Sequence, residues 1–483
     1  MLKHDLLAFV LGIAAAAPSA VAAQDPPTAT RAPPKPSAVE EAVFEMREVP
    51  ALEKPAGPEP TWLMIGQFAE LTAGPDKQVK AYPKLRSARA RYGSIRLNTP
   101  DDSGKGPQYR FVVDESGGTG KGYDRLYFDA NADLDLANDP VLKPMRDPPP
   151  RSIVRHWKEK QTVFDYAAVP VDYGPGIGRR PFRLLSRCVV EGEKLISVQF
   201  IATVMREGGI RIGTRRYGAV LVQNYAVAGR FDWPWTKLFL EPLGTQKVIE
   251  NRWSDDDLLG AARWVDGRFY TVTATPTGDK LTVRPYLGDF GVLTVGPGPR
   301  KIEKLAVGGE VNSANMIFPL GTLSADGASF EKARECRVPV GDYLPTYMGV
   351  TYGRISFSFL KNYHSDGRPR DRQGRPPVYF IKIRKDKPFV LDFANKPEVM
   401  FVSPARHQVL KPGDELHVAA VLVDPVLDIM IRRMHDTSRK QKEGYKLPNG
   451  TEHIIEGPLS LDPTVTITNS SGKKVAEGKM PFG

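Results

Sequence analysis

From Trp62 onward the chain repeats one pattern: a short run of branched and aromatic residues, then a cluster of glycine, proline, asparagine or aspartate. Gly93-Ser94-Ile95-Arg96-Leu97, Tyr109-Arg110-Phe111-Val112-Val113, Leu195-Ile196-Ser197-Val198-Gln199-Phe200 and Phe269-Tyr270-Thr271-Val272-Thr273 are runs of strand length bounded by turn residues. With 44 glycines and 43 prolines to supply the breaks, the composition argues against a helical bundle. The pattern predicts a mainly β protein. Its 483 residues leave room for about 3–4 domains.

The N-terminus has a different character. Lys3 precedes an unbroken apolar run from Leu6 to Ala17, and Ala20-Val21-Ala22-Ala23 offers small-residue cleavage positions. Residues 1–23 therefore read as a signal peptide, because so short a run cannot cross the ~30 Å of a bilayer core. No later stretch is apolar for long enough to span a membrane, so the mature chain is expected to be exported, to the periplasm, the exterior or the cell surface. Residues 24–61 are rich in proline and read as a linker, within which Val39–Met46 fits either a short helix or a strand.

Several consecutive β-sandwich-like modules are expected after that linker, over 62–145, 146–299, 300–395 and 396–483. The last alternates in Glu415–Val423 and Thr464–Thr468 between turns at Lys411-Pro412-Gly413-Asp414 and Asn469-Ser470-Ser471-Gly472, which is immunoglobulin-like in style. Arg91–Leu97 resembles Arg216–Val222, and Tyr123–Asp129 resembles Trp235–Glu241, so a divergent duplication and chance likeness between strands both remain open.

One segment has ligand spacing. Asp129-Ala130-Asn131-Ala132-Asp133-Leu134-Asp135 puts an oxygen-bearing side chain at every second position, and Asp139 follows. Calcium takes six to eight hard oxygen ligands, and alanine spacers let alternate side chains turn toward one ion. Asp129, Asn131, Asp133, Asp135 and Asp139 are the candidate Ca2+ ligands. The run resembles the Asp-x-Asn-x-Asp calcium loops of EF-hand, dockerin and strand-flanked β-protein families. It departs from them at the sixth position, Leu134 where glycine makes a sharp turn, and at the twelfth, Pro140 in place of a bidentate carboxylate. An acidic surface turn whose side chains cap local backbone is the competing reading.

No familiar catalytic motif is present. Gly117-Gly118-Thr119-Gly120-Lys121-Gly122 lacks the Walker spacing and leads into a strand, so it reads as a hairpin loop. Glu207-Gly208-Gly209 and Gly174–Gly178 read as turns. His156, His364, His407, His417, His435 and His453 never pair at zinc-binding spacing. Trp233-Pro234-Trp235 fits a core position better than an exposed sugar-stacking pair. Cys188 and Cys336 allow either one bridge or two buried thiols, and exclude a disulfide-rich scaffold.

The net charge of +11 is concentrated. Residues 368–387 carry Arg368, Arg370, Arg372, Arg375, Lys382, Arg384, Lys385 and Lys387 against Asp371 and Asp386, and residues 432–446 carry six further Lys/Arg against Asp436 and Glu443. Without a helix-turn-helix, RNP-like or zinc-finger pattern, and on an exported chain, this charge does not indicate nucleic acid. It fits edge protection and solubility, or attraction to a polysaccharide or an anionic envelope polymer.

The strand ending in an Asp-x-Asn-x-Asp loop, the Val338-Pro339-Val340-Gly341-Asp342-Tyr343 segment and the Lys411-Pro412-Gly413-Asp414-Glu415-Leu416 start are together similar to large exported bacterial proteins of unassigned function built from β modules. That resemblance brings no catalytic residues. The expectation is a non-catalytic exported binding or structural scaffold stabilised by Ca2+. The alternative is a carbohydrate-active enzyme using two separated Asp/Glu, a pair that linear spacing does not expose.

Overall fold

The computed structural model describes residues 41–53, 66–72, 74–97, 106–120, 122–153, 159–223, 227–243, 258–266, 268–296, 305–313, 316–319, 335–360, 381–392, 396–404, 409, 411, 414–427, 429–446 and 452–480. The protein is mainly β, as the sequence predicts. Nearly all strand pairs are antiparallel, and the helical structure among the described residues is one short turn at Pro150–Ser152. None of the described helices is long and apolar enough to cross a membrane.

Layers follow from alternation. In Lys160–Asp172, Phe164, Ala167, Val169 and Val171 are buried while Ala168, Pro170 and Asp172 face out. This strand belongs to a four-stranded sheet with Arg179–Glu191, Lys194–Ala202 and Gln67–Phe68. Against it packs a five-stranded sheet of Glu70–Thr72, Arg91–Arg96, Gln108–Asp114, Arg125–Phe128 and Val141–Leu142. Phe200 joins the two, with ring centroids 5.5 Å from Phe111 and 5.1 Å from Phe128. Each such buried ring contributes about 1.5–3 kcal/mol.

The other face of the four-stranded sheet packs Val163, Leu185 and Ile201 against Met205, Val222 and Phe239. Those residues belong to Val204–Ile212, Arg215–Val222 and Lys237–Pro242, a sheet completed by Arg47–Pro50. Its far side carries Ile210, Leu221 and Leu238 onto Val272, Leu281 and Val283. These last lie in a sheet of Ala42–Glu45, Lys280–Pro285, Arg268–Ala274 and Arg263–Val265.

Beyond it, a nine-stranded sheet and the three strands Glu335–Pro339, Phe290–Gly296 and Phe389–Asp392 enclose a core around Leu293, Phe318, Tyr343, Met348 and Ile381. The hydroxyl of Tyr343 donates to the Pro339 carbonyl at 2.9 Å, which satisfies the one polar atom of that buried ring. The ribbon Thr464–Thr468 with Lys474–Lys479 forms a two-stranded sheet of its own.

The strands are not partitioned where composition placed the module boundaries. The core around Phe200 unites residues on both sides of 145/146, and the nine-stranded sheet contains both Gly341–Tyr352 and Glu398–Ser403, so it runs across 395/396. Within the expected linker, Phe44 pairs with Leu281 and Val49 with Met205 in two different sheets. Arg91–Arg96 and Arg125–Phe128 are separated by Gln108–Asp114, whereas Arg215–Val222 pairs directly with Lys237–Pro242. The two halves of the sequence likeness therefore differ in strand order.

Glu207-Gly208-Gly209 is mid-strand, not a turn. A Cβ on Gly208 would lie 2.6 Å from Met46 Sδ, so glycine there serves packing. The predicted strand Glu415–Val423 is shorter in the structure, Ala419–Asp424. The signal peptide, Trp62, His156, Trp157, Trp253, His364, Arg368, Arg370, Arg372, Arg375 and His407 lie outside the described residues.

Candidate metal centre

The acidic loop joins two neighbouring strands of the five-stranded sheet. Arg125–Phe128 brings the chain in, Phe128 pairs with Phe111, and the Asp129 amide donates to the Arg110 carbonyl at 2.9 Å. Asp129 is therefore the last residue under ladder control and is fully buried. Val141–Leu142 leads the chain back beside Arg125–Phe128.

Between them the side chains organise the backbone. Asp129 Oδ1 accepts from the Asp133 amide at 3.1 Å and Oδ2 from the Leu134 amide at 3.0 Å. Asn131 Oδ1 accepts from the Asp133 amide at 3.0 Å, Asp133 Oδ1 from Asp135 at 2.8 Å, and Asp135 Oδ1 from Ala137 at 3.0 Å. Asn131, Asp133 and Asp135 thus each cap the amide two places on, the Asx-turn habit of these side chains. Asn131 and Asn138 both donate their side-chain amides to Asp133 Oδ2 at 3.0 Å.

The departure at the sixth position does not change the path of the chain. Leu134 takes φ +68° and Ala132 φ +57°, the left-handed region a glycine would occupy at lower cost. Pairing with residues 80–81 holds the turn: the Lys80 amide donates to the Leu134 carbonyl at 2.7 Å and the Leu136 amide to the Ala81 carbonyl at 3.0 Å. Leu136 is fully buried with Val112 and Tyr127, which anchors the loop to the sheet. Lys80 also donates its ammonium to the Asp133 carbonyl at 2.8 Å. Sequence reasoning missed Lys80, since nothing local ties it to a loop fifty residues on.

Charge is unevenly satisfied. Asp133 is held below the usual carboxylate range, first by the Asn138 side-chain bond and then by the Asp135 amide. Asp129 is pushed up by burial, against the pull of its two amide donors. Asp139 is pushed up to about 6, first by burial and then by the Asp129 charge. Its Oδ2 is buried with no hydrogen-bond donor. Among the described residues no group of three or more acidic, histidine or cysteine side chains stands together as a ready ligand set.

Elsewhere the expected features are dispersed. Trp233 is buried and Trp235 half-buried in a turn closed by the Thr236 amide on the Trp233 carbonyl, so they do not form an exposed pair of rings. Gly117–Gly120 and Gly122 lie in the hairpin between Gln108–Asp114 and Arg125–Phe128, and Lys121 is outside the described residues. His417 is exposed, ahead of the strand rather than in it. Cys188 is a free, fully buried thiol, which removes the Cys188–Cys336 bridge. Comparison of the chain with protein-family models, curated proteins and solved structures finds no match to any of them.

Proposed function

We propose that the protein is an exported, non-catalytic binding or structural scaffold of the periplasm or cell surface, with Ca2+ stabilising the loop that follows Phe128. The observation that carries this reading is the base of that loop, where buried Asp129 lies near Asp139 and the Asp139 Oδ2 lacks a donor. A hard dication relieves both the repulsion and the orphaned oxygen. Asp129 and Asp139 would hold it, with Asn131, Asp133 and Asp135 as the remaining oxygen donors. Lys3, the apolar run and the small residues after it support export.

Unfolding of the mature protein with Ca2+ and with chelator tests the metal. Calcium at about 100 times its Kd adds about 2.7 kcal/mol, and Asp133→Ala or Asp139→Asn reduces the gain. Identical transitions at saturating Ca2+ for wild type and Asp133→Ala would sink the idea.

The carbohydrate-active alternative has one observation in its favour. Glu207 and Glu241 line the same shallow trough of about 290 Å3, together with Arg47. An acid–base pair there requires sugar release by wild type and its loss in both Glu207→Gln and Glu241→Gln.

A further inference from the structure

The hairpin of Lys160–Asp172 and Arg179–Glu191 outruns its neighbour. Residues from Leu184 onward of its second strand pair with Lys194–Ala202, whereas Arg179, Arg180, Pro181, Phe182 and Arg183 pair only with the first strand. One face of this overhang is core, with Val169, Val171 and Phe182 buried. On the other face the cross-strand rows are Ala168 with Arg183, Pro170 with Pro181, and Asp172 with Arg179, and all six residues are exposed. Tyr166 stands next in line, 36% exposed, with the Arg183 guanidinium 4.3 Å from its ring centroid. A groove of about 280 Å3 runs over Ala168, Pro170, Pro181, Arg179 and Arg180.

The fold does not require this arrangement. The two prolines stand opposite one another; Pro181 is tolerated because Lys194–Ala202 has ended beside it, and Pro170 because its strand is the edge of the sheet. What they provide is a stiff strip of C–H surface with no amide hydrogen. Arg179, Arg180 and Arg183 form no ion pair among the described residues, while Asp172 Oδ1 accepts from the Gly174 amide at 2.8 Å. The strip is therefore apolar along its floor and positive along its second strand, where Arg183 and Arg179 stand, with the Asp172 carboxylate at the end opposite Arg179. Stacking on Tyr166 orients Arg183 while leaving its N–H edge free to donate two parallel bonds to a planar anion.

We propose that this face binds an acidic polysaccharide, a chain of pyranose rings bearing carboxylate or phosphate groups. The rings' C–H faces pack over Tyr166, Ala168, Pro170 and Pro181, and the acid groups pair with Arg183 and Arg179. These two arginines lie four residues apart on one strand, about 13 Å, the span of a short oligosaccharide. This inference deepens the binding-scaffold reading and rests on it. The calcium loop is independent, since it lies on a different sheet.

The test titrates the mature protein with an oligogalacturonate, a phosphorylated oligosaccharide, a neutral oligosaccharide of equal length and polyglutamate. Saturable binding of at least one acidic sugar is expected, at least tenfold tighter than the neutral one, and the two acidic arms identify the anion. Arg179→Ala/Arg183→Ala should weaken it by about tenfold or more. Tyr166→Ala should weaken it severalfold, with unchanged melting in each variant. Absence of binding to both acidic sugars overturns the proposal. So does binding unaffected by the arginine variant, which places the contact elsewhere. Equal binding of polyglutamate with no effect of Tyr166→Ala reduces the face to general electrostatic attraction and also overturns it. A calcium effect on melting that persists alongside any of these results keeps the metal reading separate.

Discussion

The Leu134 amide donates to Asp129 Oδ2 at 3.0 Å while Leu134 itself sits at φ +68°. A buried carboxylate thus holds an ordinary L-residue in a conformation that costs about 1–2 kcal/mol. Leu134→Asn removes the same side chain but tolerates the left-handed region, and it is expected to leave stability unchanged or slightly higher. Leu134→Val, branched at Cβ, is expected to lose more than about 1 kcal/mol. Denaturant unfolding of the two variants in chelator checks this, and equal effects would remove backbone strain as the cause.

Asp139 gives the loop a pH dependence of known sign. An unfolded aspartate titrates at about 3.9, and the folded one at about 6. The folded state therefore binds more protons in that window, so the Asp139 contribution is full below about pH 4 and is lost as pH rises through 6. After solvent screening the loss is about 1 kcal/mol. In chelator, the stability difference between wild type and Asp139→Asn should fall by that amount from pH 4 to 7. A difference that grows with pH contradicts the assignment.

Local chemistry was legible in the sequence where neighbours in the chain decide it. The run Phe269–Thr273 is a strand as read, and the turn after it, with the Thr275 and Thr277 hydroxyls donating to Asp279 Oδ1 at 2.5 Å, brings the chain back as Lys280–Pro285. Asn469–Gly472 closes its turn through the Gly472 amide on the Asn469 carbonyl. Partners far along the chain were not legible. Phe44 sits in a proline-rich stretch, and only its pairing with Leu281 makes it a strand. Leu134 takes a left-handed turn without being glycine, because residues 80–81 clamp it from outside the motif. Module boundaries were hidden because Phe200 packs on Phe111 and Phe128 across the supposed joint.

Two strand glycines separate packing from tolerance. A Cβ on Gly93 would sit 2.4 Å from the Glu70 carbonyl oxygen and 2.5 Å from Phe111 Cζ. Gly93→Ala must displace backbone and an inner ring, and is expected to cost about 1–3 kcal/mol. A Cβ on Gly218 would have nothing nearer than 3.8 Å. Gly218→Ala is expected to stabilise by about 0.5–1 kcal/mol, by restricting the unfolded chain. Chemical denaturation of both variants is the check, and a loss at Gly218 equal to that at Gly93 would mean the strand pairing there is different.

Cys188 lies in the core shared by the five- and four-stranded sheets, and burial pushes its thiol far above the ordinary range. The thiolate is the reactive form, so exposure and ionisation both require the two sheets to part. In a Cys336→Ser background, alkylation of Cys188 is expected to be absent in native buffer and complete in denaturant. Cys188→Ser places a hydroxyl among Leu184, Val198 and other apolar neighbours and should cost about 1–3 kcal/mol, while Cys188→Ala costs less. Native labelling that proceeds much faster than global unfolding would show that the sheets open at this joint before the rest of the protein does, and that they are not a single cooperative unit.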